Sequence, residues 1–402
     1  MKDITPIVAI PHSPSVYSVA LTRGPQWMFT GGEDGMIRKY DFIASVEGKS
    51  PLTLSQRHQL VDSVHYGGVI CSYWENEVPQ SKQAFLSSTK VKTTTTNTGT
   101  NTSSSYYEPQ LSPVYSLYAQ REGHWLLSGL SNGSIALHSV RSQEGSIQWV
   151  FQQGHTSTVS ALASYNDNQS FLSGGWDRKI CEWDLNQGVL SRDYDGMSGQ
   201  ISVLEYYTGQ GFMSASIDGR VCLYDIRSIA KNGNGIGQIP LLKGTPPWCM
   251  GAAVSHMDGP SDCNVSSNTI VCVGRRNSTV EIWDLRKLTN NCEDQQGGAT
   301  PLDILKLPPA SGPVSSVSIF PPKDNGGNSQ YIAVGSQDAV RVWDRNTGKC
   351  TILPGHAGGV VSQLAHDENG KFLVCASGNR GWAGKAGEMA FIYEVDGGDA
   401  KS

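Results

Sequence analysis

The sequence has little charge and no concentration of either sign. Charged residues make up 17% of the chain, and the formal net charge at pH 7 is −5. Proteins that bind bare nucleic acid usually present a concentrated basic surface, so this balance argues against direct nucleic-acid binding. No apolar run approaches the length that crosses a bilayer, and no secretory signal precedes the first apolar segment. We therefore expect no membrane association and no secretion.

The nine cysteines are scattered, and no Cys-x-x-Cys pair occurs among them. Zinc and redox sites need clustered ligands, so the spacing gives no support for a metal site. Cys181, Cys222, Cys272 and Cys375 fall inside apolar segments with the pattern of strands, where a thiol packs as a small hydrophobic group. We predict no metal site and an intracellular, reducing environment.

The common catalytic motifs are also missing. The sequence contains no His-Glu-x-x-His, no nucleophile elbow and no Gly-Lys-Ser/Thr phosphate loop. The Gly-rich segment after Gly378 contains Lys385, but Ala386 follows it where a phosphate loop needs Ser or Thr. We predict no catalytic residue and no cofactor. A propeller enzyme whose catalytic groups meet only in space is the alternative that sequence leaves open.

What the sequence does contain is a repeated unit. In the copy between residues 154 and 184, His155 follows a glycine and precedes two apolar strands. Asp177 then occupies a tight turn, and a third strand ends in Trp183 followed by an aspartate. This pattern is typical of the WD repeat, in which each unit builds one four-stranded antiparallel blade of a β-propeller.

Seven copies of this unit can be recognised along the chain. The residue in the turn precedes the closing aromatic or histidine by six positions in five copies, and by five positions at Asp338. The sequence therefore predicts an all-β fold, a seven-bladed WD-repeat propeller over residues 1–402. The family's hydrogen-bond network within a blade, between His, Ser, Asp and Trp, matches His155, Ser173, Asp177 and Trp183. In other copies only single positions of this network are matched, by Asp34, Asp218, Asp338 and His356.

The ends of the ring and blade one depart from the regular pattern. Residues 4–11 form a lone apolar strand, which we predict to complete blade seven and close the ring. Blade one spans 15–77, with a helical insertion over 43–66 and its outer strand over 67–75. The Ser/Thr-rich segment 78–113 is predicted to be a disordered loop, with regulation by phosphorylation as the alternative.

Arginine and aromatic residues are concentrated in the turns between second and third strands. Such residues are enriched at protein interaction sites, so this face is one candidate for partner binding. The alternative is that they are scattered surface residues, with Trp176 packed on a neighbouring blade. The candidates are Trp176, Arg178, Arg275, Arg276, Arg380 and Trp382.

Several stretches resemble one family of WD-repeat proteins. They are Gly24–Asp41, Gln56–Asp62, Ser72–Glu77, Ser112–Ser116 and Trp125–Gly129, and they are similar to the WD-repeat subunit of the fungal SAGA transcriptional coactivator, of the Spt group. The resemblance implies a nuclear, non-catalytic scaffold that recruits or regulates TATA-binding protein at promoters. It also implies an acidic extension ahead of the propeller, whereas this sequence begins close to the predicted closing strand.

The insertion in blade one is the most distinctive part of the resemblance, because a generic WD protein has no reason to share it. Arg57, Trp74 and Glu75 in this region are therefore the first candidates for contact with TATA-binding protein. The alternative function is that of a WD-repeat adaptor in another assembly, such as a ubiquitin-ligase receptor or a histone-tail reader.

Overall fold

The computed structural model describes most of the chain and leaves several segments out. The described residues are 4–53, 56, 64–79, 90–95, 101–106, 110–165, 169–194, 197–209, 211–226, 237–255, 269–285, 288, 300–320, 331–356, 359–379 and 387–395. For 90–95 and 101–106 the structure describes the backbone alone. Within these residues no helix is long and apolar enough to cross a membrane.

The chain begins with strand β1 (Ile4–Pro11) and then forms the sheets of the first three blades. Blade one consists of β2 (Val16–Leu21), β3 (Trp27–Gly32), β4 (Met36–Asp41) and β6 (Val69–Glu75), with α1 (Phe42–Val46) and β5 (Tyr66–Gly67) inserted before β6. A hairpin of β7 (Lys90–Thr95) and β8 (Asn101–Tyr106) follows. Blade two consists of β9 (Leu117–Ala119), β10 (Trp125–Gly129), β11 (Ile135–Ser139) and β12 (Ile147–Phe151). Blade three consists of β13 (Val159–Ala163), β14 (Ser170–Gly175), β15 (Ile180–Asp184) and β16 (Val189–Tyr194).

The remaining four blades repeat the same antiparallel order. Blade four consists of β17 (Ile201–Thr208), β18 (Gly211–Ser216), β19 (Val221–Asp225) and β20 (Gly237–Ile239). Blade five consists of β21 (Ala252–Val254), β22 (Ile270–Gly274), β23 (Thr279–Asp284) and β24 (Asp303–Lys306). A short 3-10 helix (Pro309–Ser311) leads to blade six, with β25 (Ser316–Phe320), β26 (Tyr331–Gly335), β27 (Val340–Asp344) and β28 (Cys350–Ile352). Blade seven contains β29 (Val361–His366), β30 (Phe372–Ser377) and β31 (Met389–Val395).

The first strands of the seven blades contact one another in sequence and close a ring, as predicted. Because every sheet runs in the same order outward from the ring axis, the turns between second and third strands all lie on one face, which we call the turn face. The first strands of blades two to seven surround a central channel with a cavity of about 320 Å³.

Hydrogen bonds between blades surround this channel. In five of the junctions a serine hydroxyl on or directly before the first strand of one blade donates to a carbonyl at the start of the next, across 2.6 to 2.9 Å. The donors are Ser18, Ser116, Ser160, Ser202 and Ser315. Such bonds tie the first strand of each of these blades to the next blade, so they fix the angle between neighbouring blades.

The N-terminal strand completes blade seven, as predicted. β1 pairs antiparallel with β31 from Ile4 opposite Val395 to Pro11 opposite Met389. Its apolar side chains, including Val8, are buried in the cores on either side. This pairing removes the open edge that β31 would otherwise present to solvent.

Blade seven also has a fifth strand, which the sequence did not predict. β5 comes from the insertion in blade one and pairs parallel with β1, with Val8 opposite Tyr66 and Ala9 opposite Gly67. Leu52 and Val64, also from the insertion, are buried in the same hydrophobic cluster as Ala9. The insertion therefore covers the outer edge of the strand that closes the ring.

The predicted helical insertion over 43–66 is helical at its start. α1 begins after Asp41, whose side chain accepts a hydrogen bond from the Ala44 amide over 2.8 Å and so caps the helix. Residues 54–55 and 57–63, in the centre of the insertion, lie outside the described residues. β6 then forms the outer strand of blade one, as predicted.

The prediction of disorder over 78–113 is wrong for part of that segment. β7 and β8 form a six-residue antiparallel pairing there. The two ends of the segment are also tied together, because the Val78 amide donates to Gln110 and the Ser112 amide donates to Asn76.

Candidate interaction surface

The structure brings the four predicted residues of blade three together. His155 Nδ1 donates to Asp177 over 3.0 Å, and Ser173 Oγ lies 2.7 Å from His155 Nε2. The Trp183 indole donates to the same serine oxygen over 2.7 Å. A β-carbon on Gly154 would lie 2.4 Å from the Trp183 ring, which explains why glycine precedes the histidine.

Asp177 is the residue that holds the turn of blade three. Burial acts to raise the pKa of this carboxyl, but hydrogen bonds from His155 and the Thr156 amide outweigh it, and the pKa lies below its usual value. The carboxylate is therefore ionised and committed to groups within the blade.

Blades one and six replace the histidine with an arginine on the third strand. Arg38 pairs with Asp34 over 2.5 Å, and Arg341 pairs with Asp338 over 2.8 Å. Each arginine contacts both carboxylate oxygens, so the planar guanidinium takes over the turn-fixing role. In blade four, Asp218 instead accepts hydrogen bonds from Ser198 and Ser216.

Blade five has the same charge pair with the positions of acid and base exchanged. Glu281 occupies the strand position that holds arginine in blades one and six, and Arg275 lies in the turn. The Arg275 guanidinium is 2.9 Å from Glu281 and donates over 2.9 Å to the Gly219 carbonyl of blade four. The Trp283 indole donates to Glu281 over 3.2 Å.

The side chain of Arg275 is completely buried, so it cannot contact a partner protein. The prediction of Arg275 as a partner-binding residue is therefore wrong. A guanidinium at a tight turn normally extends into solvent, but here its counter-charge Glu281 lies inside the blade and draws it inward.

Histidines complete the networks of two other blades. In blade two, Ser128 Oγ lies 2.9 Å from His138 Nε2 and 2.7 Å from Asn76. In blade seven, His356 Nε2 donates to the Gly359 carbonyl over 2.8 Å and its Nδ1 lies 3.0 Å from Ser377. In blade one, His12 lies 3.5 Å from the Tyr40 hydroxyl. His12 was not predicted, because it does not follow a glycine as the histidine of the repeat does. Asn76 was not predicted either.

Two of these buried histidines make the fold sensitive to acid. Burial lowers the pKa of His12 to about 4, helped by the Arg38 charge, and burial lowers the pKa of His138 to about 4. An unfolded histidine titrates near 6.5, so between these values the unfolded chain binds protons that the folded chain does not. The contribution of these two histidines to the free energy of unfolding is therefore fully present above about pH 6.5, and it is lost as the pH falls towards 4.

We expect each of the two histidines to cost about 2 kcal/mol of unfolding free energy at pH 5 relative to pH 8. Urea denaturation at the two pH values measures this difference. His138→Gln should remove a part of the pH dependence that corresponds to about 2 kcal/mol, whereas the same change at the exposed His124 should leave it unchanged. Equal pH dependence in both variants would contradict the assignment.

Aromatic residues flank the channel on the turn face of blades one to three. The Trp176 ring packs edge-on against Tyr115 at 5.0 Å between centroids, and Tyr115 stacks on Tyr17 at 5.2 Å. Trp176 is half-buried by this contact with the neighbouring blade. Arg178, two residues further along the turn, is exposed.

A second pairing of arginine and tryptophan lies on blade five. The exposed Arg276 guanidinium lies 5.6 Å from the centroid of the Trp248 ring, a cation–π contact. Trp248 was not predicted, because it lies in the connection from blade four and not in a turn of the repeat. Arg380 and Trp382 lie outside the described residues.

In blade one the structure separates the predicted residues. Trp74 is 8% exposed and packs in the core between blades one and two, so its prediction as a partner-binding residue is wrong. Successive side chains of a strand point to opposite sides, which leaves Tyr73 67% exposed and Glu75 exposed as well. Ile70 on the same strand is 50% exposed. Arg57 lies outside the described residues.

Comparison with known proteins identifies the family. A family model described as the SPT8 β-propeller matches residues 2–209 and 206–396. The SAGA complex subunit SPT8 of Saccharomyces cerevisiae is 31% identical over 484 residues, covering 98% of this chain and 72% of the relative. The chain belongs to the SPT8 β-propeller family.

A second relative agrees with this membership, and a more distant one is a WD-repeat protein. The SAGA complex subunit Spt8 of Schizosaccharomyces pombe is 30% identical over 98% of this chain and 79% of its own length. The WD repeat-containing protein 26 homolog of Arabidopsis thaliana is 25% identical over 63% of this chain and 46% of its own length. The SPT8 family match also spans the blade-one insertion, because residues 43–66 lie within the first matched range.

Proposed function

We propose that this chain is a non-catalytic scaffold subunit of a SAGA-type transcriptional coactivator, acting in the nucleus. The observation that supports this most is the match to SPT8 over both the repeats and the insertion in blade one. A propeller scaffold needs only a rigid ring and exposed binding surfaces, and the serine bonds between blades supply that rigidity.

The interior polar groups favour a scaffold over an enzyme. His155, His138 and His356 are each engaged in hydrogen bonds that hold turns or strands of their own blades. Among the described residues, no group of three or more His, Cys, Asp or Glu side chains is placed to hold a metal ion. These contacts give His155, His138 and His356 a structural role within their blades.

Within that assembly we propose that the chain recruits or regulates TATA-binding protein through the outer strand of blade one. Ile70 and Tyr73 place exposed apolar surface on β6, next to the carboxylate of Glu75. Large aromatic side chains at exposed positions are the residue type that dominates protein interfaces. This strand follows directly on the insertion that distinguishes the family, which supports its choice over the outer strands of other blades.

Affinity purification of the tagged chain followed by mass spectrometry tests the assembly. We expect SAGA subunits and TATA-binding protein among the recovered proteins. Recovery of a ubiquitin ligase or of chromatin alone, with no SAGA subunit, would reject the proposal in favour of another WD-repeat adaptor.

The surface is tested by a double variant, Ile70→Ser with Tyr73→Ser. We expect recovery of TATA-binding protein to fall by about tenfold while SAGA subunits are retained, because truncation of an aromatic anchor removes about 1.4 kcal/mol or more. The control is Val189→Ser with Ile352→Ser, two exposed apolar residues on the outer strands of other blades. Replacement of the whole segment 52–77 would not isolate the surface, since it would also remove Leu52, Val64 and Trp74 from the core.

A further inference from the structure

The described turns and connections of blades three to five carry a cluster of basic side chains at the surface. They are Arg178, Lys179, Arg220, Lys243 and Arg276, which together with Trp176 and Trp248 we call the basic arc. On the opposite side of the ring, Glu33 and Glu388 are exposed.

The acidic groups in the described turns and connections of blades three to five do not neutralise the arc. They are the turn carboxylates Asp177 and Asp218. Asp177 is bound by His155 and the Thr156 amide, and Asp218 is bound by two serine hydroxyls. Both carboxylates keep their charge, but the five basic side chains of the arc outnumber them, so these turns and connections present a net positive charge to a partner.

The tryptophans give the arc apolar surface beside its charges. Trp176 is held by Tyr115, and Trp248 lies beneath Arg276, so both rings have fixed positions. Fixed aromatic rings next to arginines are the combination found where interfaces concentrate their binding energy. The arc thus offers two apolar contacts separated by positive charge along three consecutive blades.

We propose that the basic arc binds an acidic segment of a partner protein, whose carboxylates pair with Arg178 and Arg276 and whose apolar side chains contact Trp176 and Trp248. A protein segment fits better than a nucleic acid. Glu33 of blade one and Glu388 of blade seven are exposed on the same face, and they would repel a continuous phosphate backbone that extended that far. The inference does not depend on the assembly proposed above.

Fluorescence anisotropy with a labelled peptide of alternating Asp-Glu pairs and Phe residues tests the proposal on the full chain. We expect binding that weakens steeply with salt and falls by about tenfold or more in Arg178→Glu with Arg276→Glu, since each change replaces attraction by repulsion. Both side chains are exposed, so the fold should persist, and the thermal unfolding temperature checks this.

The matched control is Arg141→Glu with Lys349→Glu, which makes the same charge change at exposed positions on the face opposite the turns. It should bind the peptide as the unaltered chain does. Equal loss in both variants would show a response to net charge alone and overturn the proposal. So would the absence of peptide binding, or capture of a DNA duplex in preference to the peptide by the same residues.

Discussion

Deletion of residues 1–11 is expected to lower the thermal unfolding temperature by about 5–10 °C or more. β1 buries Ile4, Val8, Ala9 and Ile10, and full burial of a large aliphatic side chain contributes about 1.5–3 kcal/mol. The deletion also exposes one edge of β31 and leaves β5 without the strand that it pairs with. Differential scanning calorimetry of the shortened chain measures the loss.

Two controls separate loss of the strand from nonspecific damage. Thr5→Ala changes an exposed position of β1 and should leave the unfolding temperature unchanged, whereas Val8→Asp should reproduce most of the loss. A synthetic peptide of residues 1–12, added in excess to the shortened chain, should restore part of the stability by mass action. An unchanged unfolding temperature after the deletion would disprove closure by β1.

Substitution of Arg275 by methionine is expected to destabilise the protein by about 3–5 kcal/mol, because it leaves the Glu281 charge buried without its partner. The double variant Arg275→Met with Glu281→Leu should recover most of this loss, since a buried ion pair can be exchanged for apolar side chains at little cost. Urea denaturation of the two single variants and the double variant gives the coupling free energy.

The neighbouring residue supplies the matched control for this prediction. Arg276→Met removes the same charge from an exposed side chain, and surface changes of this kind are usually within about 0.5 kcal/mol of neutral. If the substitutions at positions 275 and 276 had equal effects, the buried ion pair would have no special role in stability. Charge reversal at both Arg275 and Arg276 would not distinguish loss of a partner from unfolding, because the change at the buried Arg275 would destabilise the fold.

The ring could be predicted from sequence because the repeat specifies it seven times. The copies share a turn residue and a closing aromatic or histidine, so an error in one copy leaves the prediction intact. The closing strand followed from a simple count, since blade seven needed a fourth strand and residues 4–11 had no partner. The outer strand of blade one was recognised from its apolar pattern in the same way.

The surface residues were predicted less well, because exposure depends on which side of a strand or turn a residue occupies. Arg275 and Arg276 are adjacent and chemically identical, yet only the first has an inward-facing counter-charge. Tyr73 and Trp74 are likewise adjacent, and strand alternation alone decides which is buried. The two-residue strand β5 is too short to leave a pattern in the sequence.

The pairing of β5 with β1 has a consequence for the order in which the protein can assemble during translation. Almost the whole ring is synthesised between β1 and β31, so β1 has no partner in blade seven until the end of synthesis. A long-lived apolar strand with two open edges is a site for aggregation on the ribosome. β5 emerges soon after β1 and pairs with one of those edges in the folded protein, so this edge can be covered before β31 is synthesised.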